Sequence, residues 1–268
     1  MKILVADGVS EKGIEILSKE FECEIRAKLP AEELLATIHE YDGLVVRSAS
    51  KVTKEVIEAA TNLKVIGRAG VGVDNIDIEA ATAKGIIVLN APEGNTIAAT
   101  EHTVAMMLSM ARNIPQAHSS VQNGEWKRNQ FVGVEMRGKT LGVIGLGRIG
   151  SGVAKRAIAF DMKVIGYDPY VNEERAKTMG IEVVSLEEIY ANADFISVHM
   201  PLTAQTKDLI NSETISKMKD GVYLVNCARG GIINEADLAE AVKAGKVAGA
   251  AIDVFPKEPI EPNSPLLG

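Results

Sequence analysis

The sequence predicts an α/β protein built from two doubly wound parallel-sheet domains. Three observations carry this expectation. Strand-like and amphipathic helical segments alternate from Met1 to about Ala91. A second alternation begins near Lys139 and runs to the end of the chain. At its head stands KTLGVIGLGRIGSGVAKRAIAFDMKVIGYD, a strand, a G-x-G-x-x-G turn, a helix and a second strand ending on Asp168. Alternation of this kind gives a parallel sheet covered by helices through right-handed crossovers. The last stretch has the context that makes a glycine pattern a dinucleotide-binding (Rossmann) unit.

In the first domain, strands are expected at 2–6, 22–26, 44–47, 64–68 and 86–90, with helices at 14–21, 32–39, 53–60 and 76–84. Residues 96–112, TIAATEHTVAMMLSMAR, read as a long helix apolar on most sides. Such a helix is expected to be buried, between domains or in a subunit interface, with Asn95 as its N-cap and His102 as a core histidine. A polar segment follows at 116–130. The second domain then places strands at 141–144, 163–167, 181–184, 195–199, 222–226 and 247–254. Its helices fall at 151–160, 173–179, 186–191, 212–218 and 235–244. The expected division is a substrate-binding domain over 1–95 and a nucleotide-binding domain over 96–268.

Composition narrows the function. The 268 residues are 46% hydrophobic and 24% charged, with a net charge of −7. That is a globular chain with no basic surface for nucleic acid. Two cysteines, Cys23 and Cys227, suit a reducing compartment and lack metal-site spacing. The N-terminus reads as a first strand rather than a signal peptide, and no apolar run reaches membrane-spanning length. A cytoplasmic location is expected.

Each residue of the glycine motif has a physical reason. Gly145 permits the tight turn out of the strand. Gly147 lets a pyrophosphate approach the backbone, and Gly150 lets helix and strand pack closely. The helix start offers unpaired N–H groups to phosphate. Asp168, 18 residues after Gly150, can accept hydrogen bonds from ribose hydroxyls and repels a 2′-phosphate, which favours NAD over NADP. Asp168, His199, the run from Asn226 to Gly231, and Asp253 all end predicted strands and are expected to meet in one crevice. His199 reads as a general acid or as a cofactor neighbour. Arg229 is a candidate for two-point carboxylate binding, and Cys227 beside it reads as a small buried residue. Glu258 is a candidate for orienting a catalytic base. In the first domain, Arg47-Ser48 and Arg68 end two strands, and Gly70 and Gly72 can form an anion nest. Arg47, Arg68 and the Lys127–Arg128 pair suit a doubly anionic substrate. Gly133 to Thr140 fits G-x-x-x-x-G-K-[ST], but it leads into a strand where a phosphate loop needs a helix.

The stretches VVRSASKVT, LKVIGRAGVGVDNID, NAPEGNTIAATEHT, LGVIGLGRIG, VNCARGGIINE and AGAAIDVFPKEP together resemble the D-isomer-specific 2-hydroxyacid dehydrogenases. The resemblance implies NAD-dependent oxidation of a phosphorylated D-2-hydroxy acid. Gly145, Gly147, Arg148, Ile149 and Gly150 would cradle the pyrophosphate, and Asp168 would hold the ribose. His199, in an H-x-P segment, would stand with Cys227 and Ala228 beside the cofactor, and Asp253 by the nicotinamide carboxamide. Arg229 would grip the substrate carboxylate and keto oxygen, and Glu258 would hydrogen-bond the catalytic histidine. Gly70, Val71 and Gly72 would present N–H groups to the carboxylate. Arg47, and Arg128 from a neighbouring subunit, would meet the phosphate, with Ser48 and Arg68 beside them. Family members are dimers or tetramers. Other D-2-hydroxyacid dehydrogenases, such as hydroxypyruvate or glyoxylate reductases, are the competing reading, and an NAD(H)-sensing interaction protein is a third. The family's catalytic histidine lies in a T-P-H segment after the D-V-F-x-x-E-P loop. The sequence ends at Gly268 before one, so a C-terminally truncated enzyme, weak in general acid–base catalysis, is expected.

Overall fold

A computed structural model describes residues 1–267. The chain divides into two compact units, Met1–Asn95 and Thr96–Gly268. Each is a parallel sheet with helices on its faces.

In the first unit, β1 (Lys2–Val5), β2 (Glu22–Ile25), β3 (Gly43–Val46), β4 (Val65–Arg68) and β5 (Ile87–Asn90) line up in the order β2-β1-β3-β4-β5. All neighbours are parallel. Helices α1 (Glu11–Ser18), α2 (Ala31–Thr37), α3 (Lys54–Ala59) and α4 (Ile78–Ala83) make the crossovers. Ser10 and Asp77 cap α1 and α4 by accepting the Gly13 and Ala80 N–H groups, which fixes where the chain turns helical. Leu4, Leu44 and Ile66 from the sheet meet Leu34, Ile38, Ile57 and Ala81 from the helices in one core. The strand order reverses between β1 and β3, and ligands of doubly wound folds bind beyond the strand ends at such a switch point.

The second unit opens with α5 (Thr96–Ala111) and α6 (Ile114–Gln122), then a 3₁₀ turn at Arg128–Phe131. Its six strands are β6 (Thr140–Ile144), β7 (Lys163–Tyr167), β8 (Glu182–Val183), β9 (Phe195–Val198), β10 (Val222–Asn226) and β11 (Val247–Ile252). They lie in the order β11-β10-β9-β6-β7-β8, every pair parallel. This is the dinucleotide-fold order 3-2-1-4-5-6, with its reversal between β6 and β9. Helices α7 (Arg148–Ala159), α8 (Glu173–Thr178), α9 (Leu186–Asn192), α10 (Ser212–Ser216) and α11 (Glu235–Lys243) connect them. The sheet buries both faces, one against Val153, Ala154 and Ala157 of α7, the other against Ile189, Ile215 and Leu238. Near-continuous apolar strands such as Leu224-Val225 follow from this.

Two expectations need correction. Helix α5 buries one stripe, Thr100, Thr103, Val104, Met107 and Ala111, against α7, β10 and β11, while Ile97 and His102 stay exposed. Its two buried threonines are satisfied by the carbonyls four residues back (2.7 and 2.8 Å), so small polar residues sit on the packed face and apolar ones are left outside. His102 is therefore no core histidine. The segment read as polar from residue 116 is partly helix α6, which starts after Asn113 in a left-handed conformation (φ 51°) with Pro115 in its first turn. Beyond it, Trp126 is 81% exposed.

Candidate functional site

In the second unit, the β6–α7 turn is built by excluding side chains. Gly145 has φ +99°, and a Cβ there would stand 2.6 Å from the His199 carbonyl. A Cβ on Gly150 would collide with the Gly145 carbonyl. Glycine is required at both places, at the first for its backbone angle and at the second for the close approach of helix to strand. At Gly147 a Cβ would meet nothing within 4 Å, so the N-terminus of α7 opens onto free space. Arg148 and Ile149 form its first turn.

Asp168 closes the other side. Its Oδ2 accepts the Leu146 N–H (2.8 Å) and its Oδ1 the Tyr170 N–H (2.8 Å), so the carboxylate is held at the mouth of the turn. Between them lies a cleft of about 380 Å³ walled by Leu146, Gly147, Ser151 and Asp168 and by the apolar Val171 and Met179. Open space at a helix start, a carboxylate across the mouth of the turn, and an apolar wall for a base are the parts an NAD molecule needs. The residues fit that cofactor.

The expected single crevice resolves into two groups that touch at the switch point. The glycine turn and Asp168 line the cleft. His199, Cys227, Arg229 and Asp253 form a second group at the ends of β9, β10 and β11. His199 joins them: its N–H donates to the Ile144 carbonyl (2.7 Å) and its carbonyl abuts Gly145. Its Nε2 shares a 2.8 Å hydrogen bond with the buried Ser197 hydroxyl. Burial pushes the imidazole down to about 4, so His199 is neutral at pH 7. That suits a cofactor neighbour and not a general acid.

After β10, the buried Asn226 side chain shapes the loop. Its amide donates to the Arg229 carbonyl (2.9 Å), and its oxygen accepts the Ala228 N–H (3.0 Å). The Arg229 guanidinium donates to the Ala228 carbonyl (2.7 Å). Burial raises the Cys227 thiol to about 11, so it is protonated at neutral pH. The Asp253 N–H donates to the Asn226 carbonyl (3.0 Å), which ties the β11 loop to the β10 loop. The Asp253 carboxylate lies 3.2 Å from Nε2 of His102. The exposed Glu258 accepts the Phe255 N–H (3.2 Å), folding that loop back on itself. Arg128 sits exposed on the 3₁₀ turn.

In the first unit, the candidates cluster at the ends of β3 and β4. Asp7, 3% exposed at the end of β1, accepts the Arg47 N–H (2.6 Å), the Ser50 N–H (3.1 Å) and the Ser50 hydroxyl (2.9 Å). Asn75 donates to the Arg47 and Ser50 carbonyls (2.7 and 2.6 Å). These bonds fix the Arg47–Ser48 loop at the β1–β3 switch point, with the Arg47 guanidinium donating to the Gly8 carbonyl (3.2 Å). The Arg68 side chain folds over Gly70, where a Cβ would strike it. The Gly70 N–H turns back to the Arg68 carbonyl (2.8 Å), and Asn90 holds the Val71 carbonyl (2.7 Å). Presentation of N–H groups to an anion is thereby left to Val71 and Gly72. Asp7 and Asn75 were not singled out from sequence; a carboxylate directly after an apolar first strand is the signal that Asp7 offered.

Residues 104–268 match the family model described as D-isomer specific 2-hydroxyacid dehydrogenase, NAD binding domain. Over all 268 residues the chain is 55% identical to a D-3-phosphoglycerate dehydrogenase of Archaeoglobus fulgidus, of which it covers 51%. The chain thus spans about half the length of the curated relatives it matches. Among solved structures, a glyoxylate reductase from Paecilomyes thermophila is 30% identical, with a TM-score of 0.92 over 100% of this chain and 85% of its own. The D-lactate dehydrogenase of Aquifex aeolicus, complexed with NAD and lactic acid, is 34% identical, with a TM-score of 0.85 over 96% of this chain and 78% of its own.

Proposed function

This chain belongs to the D-isomer specific 2-hydroxyacid dehydrogenase family, and on that footing we propose that it is the NAD- and substrate-binding part of an enzyme that oxidises D-3-phosphoglycerate to 3-phosphohydroxypyruvate, the first step of serine biosynthesis. The observation that carries this reading is the glycine turn with Asp168 held across it, joined to 55% identity with a phosphoglycerate dehydrogenase.

Residues 96–268 bind the cofactor in this reading, and residues 1–95 bind the substrate. The Arg148 and Ile149 N–H groups receive the pyrophosphate, and Asp168 accepts the ribose hydroxyls and repels a 2′-phosphate. When bound, NAD supplies the hydride acceptor. Arg229 holds the carboxylate and stabilises charge on the oxygen at C2, and the loop around Val71 and Gly72 receives the carboxylate. Arg47, with Ser48 and Arg68 beside it, takes the phosphate, joined by Arg128 of a neighbouring subunit. Asp253 meets the carboxamide, and Glu258 orients the catalytic histidine. A homo-oligomer in the cytoplasm, without nucleic-acid partners, completes the proposal. Two free cysteines support a reducing compartment. Among the described residues no helix is long and apolar enough to cross a membrane.

Fluorescence titration with NADH and NADPH tests the cofactor reading. The chain should bind NADH in preference to NADPH, and Asp168→Ala should weaken NADH by about 10- to 100-fold while shrinking that preference. Equal binding of both nucleotides by the unaltered chain would overturn it. In a coupled binding assay, Arg47→Ala should weaken 3-phosphohydroxypyruvate and leave unphosphorylated hydroxypyruvate unchanged; an equal loss on both would remove Arg47 from the phosphate.

A further inference from the structure

His102, Cys227 and Asp253 come from three separate elements: the second turn of α5, the residue after β10 and the residue after β11. Their ligand atoms nevertheless all lie within 4.8 Å of one another. His102 Nε2 and Asp253 Oδ1 are 3.2 Å apart. A tetrahedral Zn²⁺ takes nitrogen and oxygen ligands at about 2.0–2.2 Å and sulfur at about 2.3 Å, which spaces ligand atoms by about 3.3–3.8 Å. The cluster therefore closes on an ion through shifts of about an ångström, within reach of small side-chain rotations.

The surroundings anchor the Asp253 backbone and the Cys227 sulfur and leave one position open. The Asp253 backbone is tied to the Asn226 carbonyl (3.0 Å). Thr103, adjacent to His102 on α5, sets its hydroxyl against the Cys227 sulfur and is itself anchored to the Ala99 carbonyl (2.8 Å). The His102 and Asp253 side chains are 49% and 46% exposed, so the fourth position faces water. Imidazole, thiolate and carboxylate together select Zn²⁺ or its close relatives; Mg²⁺ and Ca²⁺ take oxygen ligands.

We propose that His102, Cys227 and Asp253 form a three-ligand Zn²⁺ site at the nicotinamide end of the cofactor site, and that Zn²⁺ and NADH exclude one another there. As the Zn–S bond forms, the Cys227 thiol releases its proton to water, and no electrons are transferred. Mutual exclusion, though not ion binding, rests on the reading of Cys227 and Asp253 as cofactor neighbours. The site would make the oxidoreductase sensitive to free zinc: the ion withdraws the chain from its cofactor, and saturating NADH protects it.

The test uses the full 268-residue chain stripped of metal by dialysis against a chelator. Zn²⁺ affinity is read by competition with a chromophoric chelator, and Co²⁺ serves as a spectroscopic substitute. One ion should bind per chain, with a thiolate-to-Co²⁺ charge-transfer band in the near ultraviolet. Cys227→Ser should abolish the band, and His102→Gln, at an exposed position, should weaken Zn²⁺ at least about tenfold. Zn²⁺ should raise the apparent Kd for NADH in the unaltered chain and leave it unchanged in His102→Gln. Absence of the band, or Zn²⁺ affinity unmoved by both substitutions, overturns the site. A bound ion that leaves NADH affinity untouched overturns the exclusion. Failure of NADH to bind in the absence of metal would instead overturn the cofactor reading, and the Co²⁺ band would still report the ion.

Discussion

The two units carry their candidate loops at the same topological place and build them by different means. At the β6–β9 switch point the geometry is made by the backbone. Gly145 and Gly150 leave no room for a side chain, and the open side of Gly147 faces the cleft. At the β1–β3 switch point it is made by side chains. Asp7 and Asn75 reach across from β1 and from the turn before α4 to fasten the Arg47–Ser48 loop. A backbone-built cradle suits a pyrophosphate, which only needs N–H groups and a helix end. A side-chain-built loop can be altered one residue at a time, which suits the substrate-binding role proposed for this unit.

The contrast can be broken by substitution. Gly150→Val should have the largest effect: the side chain strikes the Gly145 carbonyl, costing about 3 kcal/mol in urea unfolding and abolishing NADH fluorescence enhancement. Next comes acid. The folded His199 titrates at about 4 and an unfolded histidine at about 6.5. Between those values the unfolded chain binds the extra proton, so stability falls as pH drops from 6.5 towards 4 and the histidine's share levels off below that. His199→Asn should remove up to about 3 kcal/mol of that loss, measured as the difference between urea midpoints at pH 7 and pH 4.5. Asp7→Ala should cost about 2 kcal/mol by stranding the Arg47 and Ser50 N–H groups, yet leave NADH affinity within about twofold. Gly147→Ala should do the reverse, changing stability by about 0.5 kcal/mol while weakening NADH about tenfold, because the new methyl fills space that only the ligand uses. If Gly147→Ala proves more destabilising than Asp7→Ala, the distinction between a backbone-built and a side-chain-built site is lost.

The same distinction explains what could be read in the sequence. The glycine turn was legible because its sterics are local: two glycines in the turn and a third in the first turn of the helix allow one geometry, and Asp168 follows the next strand. The strands of the second unit were legible because both faces of its sheet are covered, so Leu141 to Ile144 and Val222 to Val225 are almost unbroken apolar runs. Asp7 and Asn75 were not, since their partners are 40 and 28 residues away along the chain. Helix α6 was hidden by polar composition and by a start at Asn113-Ile114-Pro115 that looks like a break. Within the single chain only one stripe of α5 packs: Thr100 and Thr103 face inward and Ile97 faces out. His102 lies on the open side of the helix, and its pairing with Asp253 joins elements some 150 residues apart, beyond any local pattern.

Asn226 shows what a neutral side chain can do for a charged one. By bridging the Arg229 carbonyl and the Ala228 N–H it closes a small ring that holds the loop in one shape before any ligand arrives. In the carboxylate-binding role proposed for Arg229, a substrate need not select a rare conformer from a fluctuating segment, and the ordering entropy was spent during folding. Without that ring the guanidinium would still carry its charge but would be found in the receiving orientation only part of the time, so apparent affinity would fall by that fraction with no contact to the ligand removed.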